Sequence, residues 1–173
     1  MADPRNESID AGTVVLADIL EQFRFQKSLA DRALAQIQPA HWHATLDPES
    51  NSIAAIVKHV AGNLRSRWTD FLTTDGEKPD RDRDGEFEPA GSSPQELLEA
   101  WERGWQIVRG TVAALDSADL LRVVTIRGEP HTVVKALVRS VVHTGHHVGQ
   151  IVLLAKHLRS GSWQTLSIPK RRR

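Results

Sequence analysis

Four stretches of this chain carry apolar residues at steps of three and four, each long enough for several helical turns. The first runs from about Gly12 to Ile37, with Leu16, Ile19, Leu20, Phe23, Ala33 and Leu34 on its stripe, and Pro39 is its expected stop. The second runs from about Pro48 to Thr73 on Ile53, Ile56, Val57, Val60, Leu64, Trp68 and Phe71. Asp47 ahead of Pro48 reads as its start, because a carboxylate caps free amides and proline fits the first turn. The third runs from about Ser93 to Ala118, and Ser93 with Glu96 three residues on matches a capping box. Trp101 and Trp105 stand one turn apart on its stripe and read as core. The fourth runs from His131 or Thr132 to Leu158, and its broad apolar face predicts the most buried of the four.

The expected fold class is therefore all-α, a four-helix bundle forming one domain over residues 1–173. Val123, Val124, Thr125 and Ile126 favour extended backbone, which predicts a short strand or hairpin before the last helix. Residues 74–92 form a long polar connection without an apolar face, long enough to span a bundle. The ends, about 1–9 and 166–173, are expected to be flexible.

Charge and cysteine content narrow the chemistry. Lys plus Arg is 22 and Asp plus Glu is 22, a balance that argues against a nucleic-acid or anionic-membrane coat. The basic tail Lys170 to Arg173 is read as a loose end. The start is polar and lacks the pattern of a signal peptide, and no apolar run is long enough to cross a bilayer. A cytoplasmic protein is the expectation. With no cysteine, sulfur ligation and protein thiol chemistry are excluded, while eight histidines leave a nitrogen-ligated metal open.

His143 and His147 are four apart in the last helix, so their rings share one face and can meet one ion. Gly145 and Gly149 flank them, consistent with a close neighbour or room for a ligand. His59, midway along the second helix beside Val60 and Leu64, can project toward the bundle axis as a third ligand. The pattern alone also fits a satisfied histidine at the core edge with His143 or His147 facing solvent. His146 points about 100° away from His147 and reads as surface or interface. His41 and His43 lie in a turn, His131 is a candidate cap and His157 suits the dipole at a helix C-terminus. Asn63, one turn after His59, and Gln150, three after His147, are candidates for orienting a water or ligand. Arg127 is a candidate for a substrate carboxylate, or for pairing with Glu129 or the acidic loop.

Several strings together carry a family resemblance: Lys58-His59-Val60-Ala61-Gly62-Asn63-Leu64-Arg65-Ser66-Arg67-Trp68, Asp75-Gly76-Glu77-Lys78-Pro79, Ile126-Arg127-Gly128-Glu129-Pro130-His131, and His143-Thr144-Gly145-His146-His147-Val148-Gly149-Gln150. Over nearly its whole length the chain resembles the DinB/YfiT-like metalloenzyme superfamily, in its DUF1572 branch. The resemblance implies an up-down-down-up four-helix bundle, often a homodimer, with a metal triad falling on His59, His143 and His147. The ion would be a divalent transition metal, and nickel, zinc, manganese and iron all accept three nitrogens. Some members of the superfamily transfer low-molecular-weight thiols, whereas most of this branch lacks a demonstrated reaction.

The first expected function is a metal-dependent enzyme that transfers a low-molecular-weight thiol cosubstrate to a small electrophile. The thiol has to arrive with the cosubstrate, since the protein has none. The alternatives are a metal-dependent hydrolase that activates water and a non-catalytic metal-binding or structural dimer. No Glu stands inside the His143–His147 spacing, so the H-E-x-x-H peptidase arrangement is absent.

Overall fold

A computed structural model describes residues 10–168. The first expected flexible end, and residues 169–173 of the second, lie outside them. Four helices dominate: α1 (Ala11–Leu34), α2 (Ile53–Trp68), α3 (Pro94–Ala113) and α4 (Val133–Arg159). A hairpin of β1 (Val123–Ile126) and β2 (Glu129–Thr132) precedes α4. Each helix begins where a short polar side chain accepts an otherwise unpaired amide. Asp10 accepts from Thr13, Ser52 from Ala55, Ser93 from Glu96 in a full capping box, and Thr132 from Lys135.

The extensive helix contacts are α2 with α3 and α1 with α4, with lesser contacts of α2 on α4 and α1 on α3. One apolar cluster draws on all four helices. At its centre Phe23 meets Trp68 and Trp105 edge-on, with ring centroids 6.1 and 6.2 Å apart. Trp101 and Trp105 are fully buried and T-shaped to each other at 5.3 Å, as the core reading expects. Among the described residues no helix is long and apolar enough to cross a membrane.

Three expectations are corrected. Helix α2 starts at Ile53, capped by Ser52, five residues after Pro48. Asp47 instead closes a turn, accepting from the Glu49 amide at 2.9 Å and the Ser50 hydroxyl at 2.6 Å. The helix also ends at Trp68, before Asp70, which adopts φ 47°. The most buried helix is α2, with thirteen of its sixteen residues buried, while α4 buries nine of twenty-seven. Val138, Val142 and Leu153 of α4 are exposed, because the 3.6-residue period turns them away from Leu137, Val148 and Ile151.

The polar connection after α2 is packed down rather than free. Asp75 accepts the Arg127 and Gly128 amides, both at 2.8 Å, at the tip of the hairpin. Both tip residues have positive φ, 56° and 75°, as a two-residue I′ turn requires. Asp75 therefore holds a non-glycine residue in a conformation that it adopts reluctantly. Further on, a 3-10 turn (Gly85–Phe87) drives Glu86 into the structure, where it is 5% exposed.

Candidate metal centre

Helix α2 carries His59 on its buried side, and α4 carries His143 and His147 one turn apart. The pairwise ring-centroid distances are 5.3 Å for His59–His143, 4.9 Å for His59–His147 and 4.6 Å for His143–His147. One ring nitrogen from each lies within 4.8 Å of the other two. The two expected helix faces thus bring the three expected histidines together.

His59 is held by its surroundings. Its Nδ1 lies 2.9 Å from Glu86 Oε2, and its ring stacks on Phe87 at 4.7 Å. Glu86 also receives two hydrogen bonds from Arg81, both at 2.8 Å, and Arg81 reaches on to Glu77 at 3.1 Å. Burial by itself raises the Glu86 pKa, but the bonds from His59 and Arg81 outweigh it and hold the carboxyl below the usual range. An ionised carboxylate only accepts, so His59 donates from Nδ1 and its Nε2 lone pair faces the other histidines. Gly62 makes this possible, since a Cβ there would overlap the Glu86 carboxylate.

The α4 pair is held more loosely. His147 Nδ1 lies 2.8 Å from Oε1 of Gln150, an exposed side chain on the next turn. His143 Nε2 lies 3.3 Å from His59 Nε2, and its Nδ1 is buried without a partner among the described residues. Because His59 Nε2 is an acceptor, His143 donates to it from Nε2. Burial, reinforced by the neighbouring His147 and His59, pushes the His143 pKa down to about 3. Burial also lowers that of His147, against the opposing effect of Gln150. Between the two histidines, Thr144 is fully buried and donates to Gln26 of α1, which donates back to the Val141 carbonyl at 3.0 Å. Gly145 lets Gln26 approach, whereas a Cβ at Gly149 would meet open space.

The three rings open onto a cavity of about 410 Å³ that is also lined by Asn63, Phe87 and Ser140. Five arginines line it as well: Arg67, Arg81, Arg83, Arg127 and Arg139. Asn63 is buried at the wall, one turn beyond His59. Arg127 lines the cavity, but its Nε donates to Glu77 at 3.0 Å, so the acidic-loop pairing is the one observed. His131 is not the cap of α4, a role taken by Thr132. Its Nδ1 lies 3.1 Å from the Glu129 carbonyl and its Nε2 lies 3.2 Å from Arg139. His146 and His157 are exposed, and His43 contacts the Ser92 carbonyl at 3.0 Å.

Sequence reasoning missed Glu86, Arg81, Phe87, Gly62, Arg67 and Arg139. The available signal was weak. Glu86-Phe87 is the one place in residues 80–88 where an aromatic follows the run of alternating charges.

The fold and the site define a mostly helical protein with three clustered histidines beside an arginine-lined cavity. The chain belongs to the DUF1572 family, described as a protein of unknown function, whose model matches residues 10–172. No curated protein matches the chain.

Proposed function

We propose that this protein is a divalent-metal-dependent enzyme of the DinB-like type, an up-down-down-up four-helix bundle whose ion is held by His59, His143 and His147. The carrying observation is the convergence of three ring nitrogens within 4.8 Å, with Nδ1 of two rings engaged by acceptors behind them. Such acceptors leave Nε2 as the ligating atom and fix the ring angle. The 3.3 Å between the Nε2 atoms of His59 and His143 also suits the donor set. Two nitrogens at ~2.0–2.1 Å from a tetrahedral ion sit roughly 3.3 Å apart. Nickel, zinc, manganese and iron all remain compatible with three imidazoles.

The bound ion supplies Lewis acidity, which lowers the pKa of a coordinated water or thiol. The cavity beside the triad favours this enzymatic reading over a closed structural metal, since substrate has a place to sit. Thiol transfer to a small electrophile fits the residues better than hydrolysis does. Glu86 is tied to His59 and Arg81, and Glu77 to Arg81 and Arg127, so neither carboxylate is a free base. A thiol, whose ordinary pKa is about 8.5, needs less help to ionise than water does. The thiol is a low-molecular-weight cosubstrate, because the chain has no cysteine. A homodimer in the cytoplasm completes this reading.

The test is metal analysis of untagged protein purified without added nickel, alongside His59→Ala, His143→Ala and His147→Ala. The expected result is one ion per chain in the wild type and at least tenfold weaker binding in each variant. Unchanged metal content in the three variants would remove the assignment.

A further inference from the structure

We infer that the cavity beside the triad binds the oxyanion of the substrate, a carboxylate or phosphate group, on the guanidinium groups of Arg67 and Arg139. Its role as a substrate subsite rests on the triad being the reaction centre. The inference starts from a charge imbalance. Five arginines line the cavity, and among its lining residues there is no Asp or Glu. Two of the five are hydrogen-bonded to carboxylates. Arg81 is paired with Glu86 and Glu77, and Arg127 with Glu77, whereas Arg83 is exposed, lies 4.0 Å from Asp84 and covers Phe87.

Arg67 and Arg139 likewise have no hydrogen-bonded carboxylate among the described residues. Arg67 has a side chain only 8% exposed, and its nearest carboxylate oxygen, on Glu77, is 4.0 Å away. That is beyond hydrogen-bond reach. Its Nη1 has no partner among the described residues. Burial pulls the Arg67 pKa down to about 10, and the charges of Arg139, Arg81 and Arg127 push it the same way against Glu77. A buried cation surrounded by like charges is costly, and an incoming anion offsets that cost.

Arg139 is oriented without being neutralised. A backbone carbonyl only accepts, so His131 donates from Nδ1 to Glu129 and its Nε2 lone pair accepts from Arg139. A neutral partner fixes the direction of the guanidinium and leaves its charge for a ligand. Guanidinium groups match the two oxygens of carboxylates and phosphates in geometry as well as charge. Since Arg67, Arg139 and the three imidazoles line one cavity, an anion held there sits within the same space as the triad.

The test is calorimetric titration of the metal-free, full-length protein at constant ionic strength in chloride, with succinate and inorganic phosphate as separate probes. Saturable binding of one of them at one site per chain is expected. Tighter binding of succinate marks a carboxylate substrate, and tighter binding of phosphate marks a phosphate ester. Arg139→Gln, on an exposed side chain, should weaken the better probe at least tenfold, and Arg67→Gln should abolish its binding. Arg103→Gln, which removes the same charge from an exposed site on α3, should leave binding unchanged. If Arg67→Gln does not fold, Arg139→Gln carries the test. The double variant His143→Ala/His147→Ala should keep anion binding while losing zinc, so a failed metal assignment and a failed anion subsite give different results. No saturable binding of either probe to the wild type, or equal binding by Arg139→Gln and the wild type, overturns the inference.

Discussion

His59 and the α4 pair offer the same imidazole to the same point, yet they are built in opposite ways. His59 is buried, stacked on Phe87 and backed by an ionised carboxylate that is itself locked by Arg81. His147 has an exposed amide behind it, and His143 Nδ1 has no hydrogen-bond partner among the described residues. For the proposed metal site, the comparison separates a preorganised ligand from ligands that would have to adjust. Before ligation His143 spends its Nε2 proton on His59, so it has to change tautomer to ligate through that nitrogen. His59 needs no such change.

The sharpest way to break this contrast is to remove charge behind His59. Glu86→Gln is expected to weaken metal binding about 10–100-fold. Gln150→Ala, on the α4 side, should cost only a few-fold, because an exposed amide is readily replaced by water. Competition titrations of both variants with a chromophoric zinc chelator check this, and equal losses would erase the distinction. Glu86→Gln should also destabilise the fold by about 3 kcal/mol, near the lower end for a broken buried pair because Glu77 still reaches Arg81. Urea unfolding of the metal-free protein measures that.

A smaller effect is expected from Gly62→Ala. Its Cβ displaces the Glu86 carboxylate and should weaken metal binding by about tenfold, acting only through the orientation of His59. The size of this loss relative to Glu86→Gln reads how far position, rather than charge, matters. Unaltered affinity would mean that His59 does not depend on Glu86.

The two regions should also separate by pH in the metal-free protein. His143 and His147 have folded pKa values below the ordinary 6.5, so the unfolded chain binds more protons at mildly acid pH. Their contribution is full above about 6.5 and is lost as pH falls, for His143 toward about 3. Glu86 is also depressed, from 4.5, so its contribution begins to fall only around that value. Unfolding free energy should decline first through the histidine window, and His143→Ala/His147→Ala should flatten that part while leaving the more acid part. A variant profile parallel to the wild type from pH 7 to 5 would contradict the assignment.

The smallest effect comes from the other side of the contrast. Gly149→Ala meets open space on a helix and should stabilise by about 0.5–1 kcal/mol, with metal affinity unchanged. A Gly149→Ala protein that bound metal more weakly would show that the α4 ligands need a freedom at that position which the structure does not reveal.

Legibility in the sequence varied with distance along the chain. Ser93 and Glu96 announced the start of α3 because their bonds close within three residues. Trp101 and Trp105 announced a core face by their spacing of one helical turn. Asp47 misled, since the same carboxylate that caps a helix also closes a turn, and only Ser52 meets the backbone of α2. His143 and His147 were readable as a pair from their spacing, and His59 joined them firmly only through the family resemblance. Glu86 was not readable, because it is 27 residues from the histidine it orients and stands among solvent-type charges.

What this sequence determined alone is therefore local: four amphipathic helices, the capping box of α3, a hairpin, the absence of cysteine and two histidines on one face. Apolar period and amide capping act within one or two turns, where chain geometry leaves few choices. The folded structure decided which charges lose their water. Only packing selects Glu86 to enter over Gly62, Arg81 to neutralise it, and Arg67 to be buried with its nearest carboxylate out of reach. The energy of a charge depends on its burial and its distant partners, so that choice belongs to the tertiary structure.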